Sequence, residues 1–101
     1  MTKPQKPETA LKRQCTQLLK QFGGFSLPIP GGAYGVRGAP DRMCWLAGRC
    51  VATEFKKPTG KLSEAQEGIR DKIKAAGGEY VVIRTLDQFV ELFHLPVKRM
   101  F

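Results

Sequence analysis

Asp41, which follows Pro40, and the run Glu54-Phe55-Lys56 are the residues of this chain best suited to chemistry. Two carboxylates and an amine on one sheet face can hold a divalent ion and a water against a phosphate. Mg²⁺ or Mn²⁺ takes hard oxygen ligands and leaves positions for water and phosphate oxygens. In a small basic chain this constellation points to metal-dependent cleavage of a nucleic acid. Asp41 and Glu54 are the expected metal ligands and catalytic carboxylates. Lys56 orients the nucleophile and offsets negative charge developing in the transition state. A surface salt bridge between Glu54 and Lys56 is the plainer alternative.

Counting residues along a hairpin favours the site. With Ala47-Gly48 as a two-residue turn, Leu46 faces Arg49 and Trp45 faces Cys50. The same count sets Asp41 opposite Glu54, with Cβ atoms roughly 4.5–5.5 Å apart. Lys56 shares the Glu54 face while Phe55 points the other way, into the core. A slip of one residue or a bulge breaks this geometry.

The elements that must position these groups follow from spacing. Leu11, Cys15, Leu18, Leu19 and Phe22 predict a helix over 7–22, opened by Pro7 and stopped by Gly23-Gly24. Glu8 falls within its inward arc, where a carboxylate needs a partner, although the helix dipole alone also favours an acid there. Lys12 sits at the edge of that arc. Residues 25–29 read as a short strand ended by Pro28 and Pro30, and 31–35 as a flap or a plain connector. Residues 42–46 and 50–57 are strands. Ser63 and Gln66 have capping-box spacing at the start of a helix whose stripe is Ala65, Ile69, Ile73 and Ala76, ended by Gly77-Gly78. Tyr80 to Ile83 reads as a strand covered on both faces. Thr85 and Gln88 repeat the capping spacing before Leu86, Phe89, Val90 and Phe93, with Pro96 as the stop. The order is αβββαβα, a sheet flanked by helices. A tail over 1–6, a single domain over 7–95 and a tail over 96–101 are expected.

The chain has 101 residues, room for one domain, and its 42% apolar share is enough to bury a core. Seventeen Lys+Arg against nine Asp+Glu give a net charge of +8, which suits a polyanionic partner. No apolar run approaches the ~20 residues of a bilayer span, and the first residues lack a signal-peptide pattern. Cys15, Cys44 and Cys50 are odd in number and show no CxxC spacing, which suggests buried thiols in a reducing, intracellular and cytoplasmic setting. His94 is the only histidine, so paired-histidine and HNH-type centres cannot be assembled from these residues, and packing is its expected role. Thr59-Gly60-Lys61-Leu62 is only a partial echo of a P-loop.

Taken together, Glu8, Gly38-Ala39-Pro40-Asp41, Glu54-Phe55-Lys56, the basic loop Lys57 to Ser63 and Gln66 resemble the VRR-NUC family, in freestanding members of phage or bacterial type. That family is a compact branch of the PD-(D/E)XK nucleases. The resemblance runs from about Glu8 to about Phe93. It implies a restriction-endonuclease-like core with a central mixed four-stranded sheet, and a Mg²⁺- or Mn²⁺-dependent DNA endonuclease using one or two ions. It also implies that the Phe55 carbonyl is a further metal ligand, that Glu8 joins the site, and that Gln66 reaches into it; Gln66 equally could only close the box with Ser63. Such members resemble Holliday-junction resolvases in fold and in acting as homodimers, so branched DNA is the expected substrate, with flaps and linear duplex as alternatives. A non-catalytic DNA-binding module of the same fold would lack a carboxylate or the lysine, and neither is missing. A site-specific restriction enzyme needs base-reading elements for which the chain has little room. Lys57, Lys61, Arg37 and Arg42 are candidates for gripping phosphates, or solvated surface charges. Tyr34 and Trp45 could stack on bases or pack within the protein. No small-molecule cofactor and no membrane partner are expected.

Overall fold

The first helix, α1 (Pro7–Gln21), turns its apolar stripe onto a sheet, and Cys15 and Leu19 are fully buried beneath it. The computed structural model describes residues 7–31 and 35–97. Residues 1–6 and 98–101, expected as tails, and Tyr34 within the expected flap lie outside the described residues. The remaining elements are β1 (Phe25–Pro28), β2 (Arg42–Leu46), β3 (Arg49–Phe55), α2 (Glu64–Ala75), β4 (Glu79–Ile83) and α3 (Leu86–Phe93). Their order is the expected αβββαβα.

The four strands form one mixed sheet in the order β1-β2-β3-β4. The first two pairings are antiparallel and β3 runs parallel to β4, joined through α2. The β2–β3 register is the counted one: Leu46 faces Arg49, Trp45 faces Cys50, and Arg42 faces Thr53. Ala47 (φ 50°) and Gly48 (φ 81°) both have positive φ, as a primed two-residue turn requires.

Alternation along β3 divides the two layers. Val51, Thr53 and Phe55 face α1 and α3, where the core gathers Cys15, Leu19, Cys44, Ile83, Phe89, Val90 and Phe93. Ala52 and Glu54 face the other way, toward α2. Thr53 is fully buried, but its hydroxyl donates to the Arg42 carbonyl at 3.1 Å, so it carries no unmet polar group. Burial pushes the Cys15 thiol up to about 12, with Cys44 adding to the effect, in line with a packing role.

Several expectations are corrected. Pro28 is the last residue of β1 and does not stop it early; an edge strand tolerates proline because one side of it has no ladder to satisfy. β3 closes at Phe55, although the Lys56 N–H still donates to the Ile83 carbonyl at 3.0 Å. The α2 stripe is less covered than expected. No residue of α2 is fully buried, and Ala76 is its exposed C-cap. The reason is topological: β4 is an edge strand, so α2 packs at the margin of the sheet. For the same reason Val81 and Val82 are only half-buried while Tyr80 and Ile83 are buried. The stop of α3 is His94 in the left-handed conformation (φ 53°), two residues before Pro96. Leu95 is buried and Val97 packs on the core, so the packed region extends beyond residue 95. Among the described residues no helix is long and apolar enough to cross a membrane.

Candidate active site

Asp41 stands one residue before β2 and Glu54 one residue before the end of β3, and the hairpin register makes them neighbours. Both line a cleft of roughly 420 Å³ together with Glu8, Lys12, Phe55, Lys56, Lys57, Gly60 and Lys61. Five of the sequence-predicted residues beyond the carboxylate pair (Glu8, Phe55, Lys56, Lys57 and Lys61) therefore converge on one place.

Asp41 is held from two sides. Its Oδ2 accepts the Phe55 backbone N–H at 2.9 Å, and its Oδ1 lies 3.7 Å from Lys12 Nζ. The Asp41 carbonyl accepts the Ile29 N–H, which ties the stretch after β1 to the start of β2. Phe55 was singled out for its carbonyl; the contact its backbone makes with the site here is the N–H given to Asp41.

Glu54 is 3% exposed, an unusual position for a carboxylate. Its Oε1 accepts from Gln66 Nε2 at 2.9 Å, while Oε2 is buried without a hydrogen-bond partner among the described residues. Burial first, and then the Asp41 charge, push the Glu54 carboxyl up to about 7; Lys56, the Asp41 backbone and Lys12 pull it the other way. No ion pair joins Glu54 to Lys56 among the described residues. Tyr80 pairs with Ala52 on the Glu54 side of the sheet. Burial and then the Glu54 and Asp41 charges drive its phenol up to about 12, and its hydroxyl is likewise buried and, among the described residues, without a hydrogen-bond partner.

The two readings of Gln66 are two ends of one side chain. Its Oε1 accepts the Ser63 N–H at 2.8 Å, its own N–H donates to Ser63 Oγ at 3.2 Å, and its Nε2 reaches Glu54. The capping box thus fixes the amide that fixes the carboxylate. Gly38 seats the same turn of helix from the other side. It has φ 83°, and a Cβ placed on it would stand 2.3 Å from the Ala65 carbonyl oxygen and 2.9 Å from the Gln66 nitrogen. The loop before Pro40-Asp41 can approach α2 this closely only because residue 38 has no side chain.

An orphaned, buried carboxylate oxygen beside a second carboxylate is a donor set that fits a hard divalent ion completed by water. Asp41 and Glu54 would hold it. Among the described residues no group of three or more His, Cys, Asp or Glu side chains is arranged to hold a metal, so Glu8 lines the cleft without completing a three-carboxylate cluster.

The predicted phosphate grips separate in space. Lys57 and Lys61 are exposed and line the cleft. Arg37 lies in the neighbouring groove with Gly38, Ser63 and Gln66. Arg42 is drawn elsewhere: its Nε donates to Ser26 Oγ at 3.1 Å, in a groove between α1 and β1. Trp45 packs against Phe25 with ring centroids 5.8 Å apart. His94 is exposed at its helix cap.

Sequence reasoning missed two residues. Lys12 lies one turn after Glu8, and that i,i+4 spacing was the signal that could have placed it beside the site. Arg84 donates from Nη2 to the Gly60 carbonyl at 2.9 Å and so pins the loop that carries Lys57 and Lys61. Nothing in its sequence context marks a contact across 24 positions.

No family model matches the sequence, and no curated protein does. Among solved structures the chain is similar to one described as a "VRR_NUC domain", with a TM-score of 0.78 at 19% identity, covering 92% of this chain and 100% of that one. At that identity the likeness is one of fold, and it agrees with the mixed four-stranded sheet and helix order implied by the family resemblance. The chain has the fold of a VRR_NUC domain.

Proposed function

We infer that the protein is a Mg²⁺- or Mn²⁺-dependent DNA endonuclease of the VRR-NUC family, hydrolysing phosphodiester bonds of branched DNA as a homodimer. The observation that carries this reading is the meeting of Asp41 and the buried Glu54 at the end of a sheet, in a cleft that also contains Lys56. The fold and the net charge of +8 support it.

When bound, the divalent ion supplies a more acidic water and polarises the phosphoryl oxygen. Asp41 and Glu54 would hold that ion, with Glu8 toward its water shell and the Phe55 carbonyl as a further oxygen donor. Gln66 keeps one Glu54 oxygen occupied, and the other has no hydrogen-bond partner among the described residues. Lys56 orients the attacking water and offsets charge developing on the phosphate. Lys57 and Lys61, which line the same cleft, grip the phosphate backbone. Because one site cuts one strand, symmetrical incision of a four-way junction needs a pair of chains.

The test is cleavage of four-way junction, flap, nicked and linear duplex DNA by the pure protein with Mg²⁺, Mn²⁺ or EDTA. Asp41→Asn, Glu54→Gln and Lys56→Met are each expected to lower kcat by at least about a hundredfold while leaving DNA binding largely intact. Full metal-dependent activity in both carboxylate variants would remove the assigned site. Binding without cleavage by the parent protein would make it a non-catalytic module.

A further inference from the structure

Among the described residues, Lys12 is the cation that forms an ion pair with one of the paired carboxylates. Its Nζ is 3.7 Å from Asp41 Oδ1, whereas Oδ2 of the same group is already taken by the Phe55 N–H. Lys12 thus faces the oxygen that accepts no backbone N–H among the described residues. Lys56, Lys57 and Lys61 line the same cleft, yet none of them forms an ion pair with either carboxylate among the described residues. The Lys12 side chain is 34% exposed on the rim of α1, so its ammonium can leave Asp41 while its methylene stem stays on the helix surface.

A divalent ion on Oδ1 and an ammonium at the same oxygen repel one another, so the ammonium must withdraw for the ion to bind closely. We propose that Lys12 is a resident cation of this site, holding Asp41 until a divalent ion takes Oδ1 and turning then to a phosphate oxygen of the bound strand. The proposal rests on Asp41 being a metal ligand. Lys12 offsets the Asp41 charge before loading and fixes Asp41 in place, at the cost of some metal affinity. A bound phosphate gives the displaced ammonium a new partner, so DNA and metal strengthen each other through this residue.

The test is Mn²⁺ binding to the full chain, measured by titration calorimetry without DNA and again with uncleavable phosphorothioate DNA. Lys12→Met is expected to tighten Mn²⁺ binding about five- to tenfold without DNA, and Lys61→Met by less than about twofold. The gain in Mn²⁺ affinity caused by DNA should shrink in Lys12→Met and persist in Lys12→Arg. In the unmutated protein, nitrogen-edited NMR should show the Lys12 ammonium resonance moving on addition of Mg²⁺, with those of Lys57 and Lys61 staying put. Equal effects of Lys12→Met and Lys61→Met, or an unmoved Lys12 resonance, overturn the proposal. A different failure is diagnostic of the metal site itself: if Asp41→Asn binds Mn²⁺ as the parent does, Asp41 is no ligand.

Discussion

At the scale of single residues, the site is a strained electrostatic arrangement that an ion would relieve. Glu54 is buried with one oxygen unpartnered, and its carboxyl is raised from 4.5 to about 7. Below the unfolded value the group is protonated in both states and costs nothing. Between the two values the folded state keeps its proton while the unfolded state loses it. Above about 7 both are ionised, and the full cost of the buried charge, on the order of 3 kcal/mol, is present. Without metal, stability is therefore expected to fall as pH rises across this window. Glu54→Gln should gain stability relative to the parent by about 2 kcal/mol at about pH 8 and little at about pH 4, read by urea denaturation in EDTA. An equal effect at both pH values would mean that Glu54 is not held in this way. Legibility at this scale was uneven. Asp41, Glu54 and Lys56 announced themselves by type and register. The capping and site-directed readings of Gln66 both hold, because an amide has an acceptor at one end and a donor at the other. Lys12 was hidden, since a lysine at the edge of an amphipathic arc is normally solvent-facing.

At the scale of elements, the hairpin was the most legible part of the chain. A two-residue turn leaves only one pairing register, so counting outward from Ala47-Gly48 gave the partners of Leu46, Trp45 and Arg42 correctly. The covering of α2 was not legible, because an apolar stripe records which face turns inward and not how much sheet lies beneath it. That depends on β4 being an edge strand, which only the assembled sheet order determines. The contact of Gly38 with the first turn of α2 belongs to this scale too. Gly38→Ala combines an unfavourable positive φ with a backbone clash. It is expected to destabilise the fold by about 2–3 kcal/mol and to lower kcat disproportionately by displacing Gln66 from Glu54. A variant with unchanged melting temperature and kcat would show that this approach is dispensable.

At the scale of the whole molecule, charge and layering divide the labour. The cleft end of the sheet gathers Lys12, Lys56, Lys57 and Lys61. The opposite end is closed by Arg49, which pairs with Glu79 at 2.6 and 2.8 Å and lies over the Phe93 ring. Binding of DNA should weaken steeply with salt. Lys57→Ala and Lys61→Ala should each reduce the slope of log affinity against log salt by about one, and Arg42→Ala, tied to Ser26, by less. Fluorescence anisotropy over a salt series measures this, and equal slopes for all three variants would erase the distinction between cleft and groove. The two layers differ as well. α1 and α3 share the fully buried core, whereas α2 contributes no fully buried residue, yet its first turn carries the amide that steadies Glu54. The candidate site is thereby tied to a helix with no fully buried residue. On the proposed function, fraying of that one turn would free the Glu54 carboxylate while every strand stays paired, and inactivation is then expected to precede global unfolding.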